Sequence, residues 1–168
     1  RQRLWRPQDG GGALLDLAVY PLSWVLATLG PVSDVVASGR LNDDGVDEIS
    51  TLGLRHAGGG FSQVTVSFVS QSVNRAAIVG TDGVVVTDSP VSRPQGFTLT
   101  AAGESTHEAV PHSDDPYTYQ LREVTRCVQQ GLLESATMPL AETIATMELF
   151  DEVRRQTGVT YPNDYEEE

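Results

Sequence analysis

The chain has 168 residues, 39% of them hydrophobic, and a formal net charge of −12. That length suits one domain, 1–168, with a real core. The charge argues against nucleic acid or an anionic membrane surface as partner, since both demand a basic face.

One cysteine, Cys127, leaves no internal disulfide and no cysteine-based zinc cluster, and it is compatible with a reducing, cytoplasmic setting. All eleven basic residues are arginine. Without lysine, neither a P-loop nor Schiff-base chemistry can be built within this chain. The longest apolar run, Leu14 to Leu29, carries Asp16 and Pro21 and falls short of the roughly 20 residues a membrane span needs. The first residue is Arg1, and the only methionines are Met138 and Met147. The chain is therefore expected to be a piece of a longer protein.

Residues 1–9 read as an extended lead-in, because Arg6 precedes Pro7 and such a residue avoids the helical region. Gly10-Gly11-Gly12 follows. Three glycines before a helix serve either a tight turn with close backbone approach or, more weakly, phosphate contact; the spacing and strand context of a dinucleotide loop are missing. The spacing then predicts a helix from Ala13 to about Leu29. Leu14, Ala18, Leu22, Val25 and Leu29 share one side, and Gly12, Asp16, Tyr20, Ser23 and Ala27 the other. Pro21 lacks an N–H for the Leu17 carbonyl, so a kink or restart is expected there. Gly30-Pro31 ends the helix.

From Val32 to Val110, β-branched residues alternate with turn signals. Strands are expected at 32–41, 48–56, 61–69, 74–79, 84–87, 97–101 and 105–110. The short turns, among them Gly80-Thr81-Asp82-Gly83 and Ala102-Gly103-Glu104, imply mostly antiparallel pairing. The fold class expected is α+β: an open-faced, mostly antiparallel (mixed) sheet with helices on one face. Beyond Pro111 the helical period returns. Tyr117, Leu121, Val124, Val128 and Leu132 form one stripe expected to face the core, with Asp114-Asp115 at the helix entrance and Gly131 at its end. A last helix from Pro139 to Gly158 carries Leu140, Ile144, Met147, Phe150 and Val153 as its core stripe. Residues 161–168 read as a solvated acidic tail.

His56, His107 and His112 lack metal-ligand spacing, so no metal site is expected. Cys127 reads as a small core residue. Asp16 and Tyr20 remain, at i and i+4 on the polar stripe. They are either a structural pair or a reactive one. A tyrosine with its ordinary pKa near ~10 is a poor acid at neutral pH unless a cation lowers it. With no lysine here, either Tyr20 is not catalytic or the cation comes from elsewhere.

Gly10-Gly11-Gly12-Ala13-Leu14-Leu15-Asp16-Leu17-Ala18-Val19-Tyr20-Pro21-Leu22 resembles the signature of the Gfo/Idh/MocA oxidoreductases. It is closest to the branch with glucose–fructose oxidoreductase and the dimeric dihydrodiol and xylose dehydrogenases. Ile78-Val79-Gly80-Thr81-Asp82-Gly83, Tyr119 to Gly131, Met138 to Thr143 and Met147 to Pro162 are similar to later family segments. The resemblance implies a C-terminal substrate and oligomerisation domain whose partner, an N-terminal Rossmann domain with the catalytic lysine and the dinucleotide loop, is absent from this chain. It implies NADP or NAD as cofactor of the parent, none bound to this chain alone, and an inactive isolated chain. It implies a sugar, polyol or related alcohol or ketone as substrate, and a homodimer formed through the sheet face. Tyr20 falls on the proton-relaying tyrosine and Asp16 on the aspartate beside it. Arg6, Gly11 and Gly12 fall on the substrate side. Ala18 stands where the family usually has glycine, a methyl group expected to tighten the site. The rival reading is a non-enzymatic ligand- or partner-binding module that kept the fold without the cofactor domain.

Overall fold

The structure, a computed structural model, describes residues 2–112, 115 and 117–165. They divide into two compact units. One holds the residues up to Ser72 together with those from Met147; the other is Val73–Thr146.

In the first unit the glycine turn leads into α1 (Ala13–Leu17) and then α2 (Val19–Leu29). The break lies at Ala18, and the axis turns by 42° between Pro7–Leu17 and Val19–Leu29. Proline is the cause expected from the sequence. Pro21 has no N–H to give the Leu17 carbonyl, so the ladder skips that bond, while Ala18 still donates to Leu14 and Leu22 to Ala18. Gly30, at φ 76°, closes α2 by donating to the Leu26 carbonyl. Ahead of the turn, the lead-in is not extended throughout. Gln2–Trp5 and Pro7–Asp9 are short 3-10 turns, and only Arg6 between them is extended, at φ −126° and ψ 131°.

Strands β1 (Val32–Leu41), β2 (Asp47–His56) and β3 (Phe61–Ser67) form an antiparallel sheet in the order β1-β2-β3. Asn42 builds the first turn, its side-chain oxygen accepting from the N–H groups of Asp44 and Val46. The register sets Val35 opposite Leu54 and Leu52 opposite Val64, so one face is apolar. Against that face pack Leu14, Ala18 and Leu22 together with Phe150 and Val153 of α4 (Leu140–Thr157). Burying one such large side chain contributes roughly 1.5–3 kcal/mol. The other face is open, with Val36 and Phe61 exposed and the Arg55 guanidinium over the Phe61 ring.

Two polar side chains fasten this unit. His56 is buried, its Nδ1 donating to the Gly30 carbonyl (2.8 Å) and its Nε2 2.9 Å from the Ser62 hydroxyl. Gln156 serves the outer edge of β1, accepting from Ala37 N–H (2.7 Å) and donating to the Val35 carbonyl (3.0 Å). A side-chain amide thus satisfies backbone groups that an edge strand leaves open. The chain from Tyr161, read from sequence as a solvated tail, is instead anchored where it begins. The Arg154 guanidinium stacks on the Tyr161 ring and pairs with Asp164, whose carboxylate also accepts from Tyr161 N–H. Residues 166–168 lie outside the described residues.

In the second unit β4 (Ala77–Val79), β5 (Gly83–Thr87), β6 (Gly96–Ala101) and β7 (Glu104–Ala109) form an antiparallel sheet in that order. The two hairpins expected from sequence are present. Gly80 donates to Gly83 across one turn, and Ala102 and Gly103, at φ 51° and 83°, make the other. α3 (Thr118–Gln129) is entered through Asp115, whose carboxylate accepts from Tyr117 N–H; Asp114 lies outside the described residues. At its end Gly131 is left-handed and Leu132 donates to the Cys127 carbonyl. Glu123 accepts from Arg126 and Ser135, and the Cys127 side chain is buried beside it.

The α+β class and the antiparallel pairing thus hold, with the strands of the described residues divided over two sheets. The expected core stripe of α3 does not. Tyr117, Leu121, Val124 and Val128 are each 60% or more exposed, and Leu140 and Ile144 at the start of α4 are exposed as well. Helical spacing decides which residues share a side, not what that side meets. Among the described residues no single helix is long and apolar enough to cross a membrane.

Candidate functional site

The glycine turn is closed from within. Gly10 donates to Pro7, Gly11 to Arg6 and Gly12 to Leu4, at 3.1, 3.0 and 2.9 Å. A Cβ on Gly11 would stand 2.6 Å from the Leu4 carbonyl oxygen. Gly12 sits at φ 122°, and a Cβ there would overlap the Asp47 carboxylate. Close backbone approach, one of the two readings open from sequence, is therefore what the glycines provide. Both Gly11 and Gly12 are buried.

Asp47, at the start of β2, has no exposed surface. Its Oδ2 accepts from Leu14 N–H at 2.8 Å and from the Ser50 hydroxyl at 2.7 Å. Its Oδ1 has no hydrogen-bond partner among the described residues. From the other end of the chain, the Tyr161 hydroxyl donates to the Gly11 carbonyl at 2.5 Å. Burial, and then the Asp47 charge, push the Tyr161 phenol up to about 12, so it remains a donor at physiological pH. This arrangement leaves no phosphate cradle. The N–H groups of Gly10, Gly11, Gly12 and Leu14 are all taken, and a buried carboxylate stands where a phosphate would have to come. A dinucleotide does not fit this turn.

On the outer side of the same turn lies Asp16 of α1. Its carboxylate is 31% exposed and lies 3.6 Å from the Arg3 guanidinium. Tyr20 follows on α2, half exposed, its hydroxyl without a hydrogen-bond partner among the described residues. The two residues thus belong to successive helices, separated by the Ala18 break, and both remain open to solvent. Arg6 is turned to Asp9, at 3.5 Å, and not to Asp16. Ala18, at the break between the two helices, is fully buried, its methyl group packed in the apolar cluster with Leu14 and Leu22. Among the described residues no three His, Cys, Asp or Glu side chains are grouped to hold a metal ion.

Sequence reasoning missed Arg3, Asp47, Ser50 and Tyr161. Asp47 comes two residues after Asn42-Asp43-Asp44-Gly45, a run with the composition of a turn. Its burial comes from the irregular register near Leu41, which no local pattern announces.

Residues 1–86 match the family described as GFO/IDH/MocA C-terminal domain. The chain belongs to this family. A trans-1,2-dihydrobenzene-1,2-diol dehydrogenase from Danio rerio is 34% identical over 165 residues, covering 92% of this chain and 49% of the relative. A D-xylose 1-dehydrogenase (NADP(+)) from Hypocrea jecorina is 34% identical over 184 residues, covering 95% of this GFO/IDH/MocA chain and 47% of the relative. The chain spans about half the length of the curated relatives it matches. Among solved structures, the aldose–aldose oxidoreductase from Caulobacter crescentus, complexed with glycerol, superimposes with a TM-score of 0.76 at 22% identity, covering 94% of this chain and 49% of that one. A 3-ketoreductase from Actinomadura kijaniata, in complex with NADP and TDP-benzene, gives a TM-score of 0.77 at 24% identity, covering 91% of this chain and 49% of that one. These two likenesses show a shared fold.

Proposed function

We propose that this chain is, as one functional domain, the substrate-side and oligomerisation part of an NAD(P)-dependent oxidoreductase acting on a sugar, polyol or related alcohol or ketone. The observation that carries the reading is the 34% identity to a diol dehydrogenase and a xylose dehydrogenase over 92% and 95% of this chain. Asp16 and Tyr20, open on the outer side of the glycine turn, are the residues to which it assigns chemistry.

The nicotinamide belongs to a second, upstream domain and supplies or accepts the hydride. Tyr20 handles the proton. In the reducing direction its phenolic O–H bond breaks as an O–H bond forms on the substrate oxygen; oxidation reverses this. The cation that makes a phenol competent near neutral pH also comes from the upstream domain, since this chain has no lysine. Asp16, steadied by Arg3, orients the substrate hydroxyl, and Arg6 contributes a guanidinium at the rim. Homodimerisation through the open sheet face carrying Val36 and Phe61, and a reducing, cytoplasmic setting, belong to the same reading.

The test is the full-length protein assayed with D-xylose and with a trans-dihydrodiol, using NADP+ and NAD+. Tyr20→Phe is expected to lower kcat by about 10²-fold or more while leaving the KM for the nicotinamide in place. This chain alone, supplied with the same nucleotides, is expected to show no turnover. Full-length protein that works equally well with Tyr20→Phe overturns the assignment. Absence of any nicotinamide-linked turnover favours the binding-module reading.

A further inference from the structure

We propose that Asp47 is the positioning residue of this site: its buried carboxylate sets the start of α1 and thereby the placement of Asp16 and Tyr20. The inference rests on the reading of those two residues given above.

Asp47 has none of the ordinary reasons to be where it is. It touches no cation among the described residues, it is wholly buried, and one of its oxygens has no hydrogen-bond partner there. A charge so placed is costly unless its bonds are worth more than usual. Oδ2 takes the Leu14 N–H, two residues before Asp16, and is itself oriented by the Ser50 hydroxyl. An N–H at a helix start bonds strongly to a full negative charge. α1 has only five residues and cannot hold its own direction, since so short a helix is unstable alone. Its axis is held to β2, the central strand of the three-stranded sheet, by this carboxylate together with the apolar packing of Leu14 and Ala18. Gly12 lets the carboxylate approach, because any Cβ there would overlap it. Tyr161 holds the preceding carbonyl, that of Gly11, through its hydroxyl. The turn is thus clamped at Gly11 and Leu14, and Asp16 and then Tyr20 follow from that clamp within two turns of helix.

Asp47→Ala, Asp47→Asn and Tyr20→Phe separate the possibilities. In this chain, amide hydrogen exchange at Leu14 to Ala18 is expected to quicken by about tenfold or more in Asp47→Ala, and by less in Asp47→Asn, which keeps an uncharged acceptor. In the full-length protein with D-xylose and NADP+, Asp47→Ala is expected to lower kcat by about 10²-fold, with Asp47→Asn restoring part of it. The KM for NADP+, which a general loss of structure would raise, is expected to stay within about twofold of wild type. In a Tyr20→Phe background, Asp47→Ala is expected to cost less than about threefold, because it acts through the group already removed. Unchanged exchange at Leu14 to Ala18 overturns the inference whatever the enzyme does, as does a full additive loss in the double variant. A Tyr20→Phe protein with wild-type kcat overturns the reading of Tyr20 itself, which is a separate result.

Discussion

Tyr161 and Gly11 stand 150 residues apart in sequence and meet through a hydrogen bond of 2.5 Å from the phenol to the buried carbonyl. That bond ties the end of the chain to the turn from which Asp16 projects, and it binds the first unit across its whole sequence span.

Tyr161→Phe should therefore lower stability by about 1–2 kcal/mol, the worth of the bond together with an unsatisfied buried carbonyl. Thermal or urea unfolding of this chain measures it. The phenol is raised from its ordinary value to about 12 by burial and then by the Asp47 charge. Unfolded tyrosines lose their proton first, so this contribution is complete below pH ~10 and is lost between ~10 and ~12. Tyr161→Phe should correspondingly flatten the fall in stability over that window.

Gly12→Ala and Gly45→Ala offer a paired comparison. Both positions have positive φ, 122° and 89°, but only at Gly12 would a Cβ meet other atoms, those of Asp47 and Tyr161. Gly45→Ala should cost about 1 kcal/mol from backbone strain alone, and Gly12→Ala clearly more than about 3 kcal/mol. Denaturant midpoints of the two variants rank them.

Phe150→Ala should cost about 3–5 kcal/mol, because the ring is 1% exposed at the centre of the first unit. Leu121→Ala, on the exposed stripe of α3, should stay within about 0.5 kcal/mol. Equal costs at the two positions would mean that the α3 stripe is covered in this chain.

The Arg126 guanidinium, and after it the Ser135 hydroxyl, hold the Glu123 carboxyl at about 2, below the ordinary carboxylate range. A depressed carboxylate stabilises the folded chain above its unfolded pKa, and the effect is lost as pH falls from ~4.5 toward ~2. A carbon-detected titration should find Glu123 still ionised at pH 3. Burial, and after it Glu123, push the Cys127 thiol upward. Cys127 should accordingly react with a thiol reagent slowly in the native chain and quickly in urea.

Local chemistry made much of this protein legible in advance. The apolar side Leu14, Ala18, Leu22 is buried as its spacing required, because an amphipathic helix has only one side to bury. Pro21 broke the helix because a missing N–H cannot be supplied by context. The hairpin at Ala102-Gly103 formed where its turn takes positive φ, which few residues tolerate, and the one at Gly80–Gly83 where Gly80 N–H reaches the Gly83 carbonyl. Asp16 and Tyr20 were visible as polar residues on an apolar helix, and both remain open.

Tertiary structure alone decided the rest. No local pattern distinguishes Asp47, which is buried, from Asp43 and Asp44, which lie in the exposed turn. What separates them is the partner that the fold brings, the Leu14 N–H from 33 residues away. The same holds for Tyr161, which belongs to the Gly11 turn only because α4 returns it there, and for Arg3, which the lead-in brings to 3.6 Å from Asp16. The α3 stripe is the converse, correctly spaced and left exposed. Helical period and turn chemistry act over a few residues and can be read from them. Burial, capping in trans and ion pairing depend on which distant segment arrives, and that is settled only when the whole chain has packed.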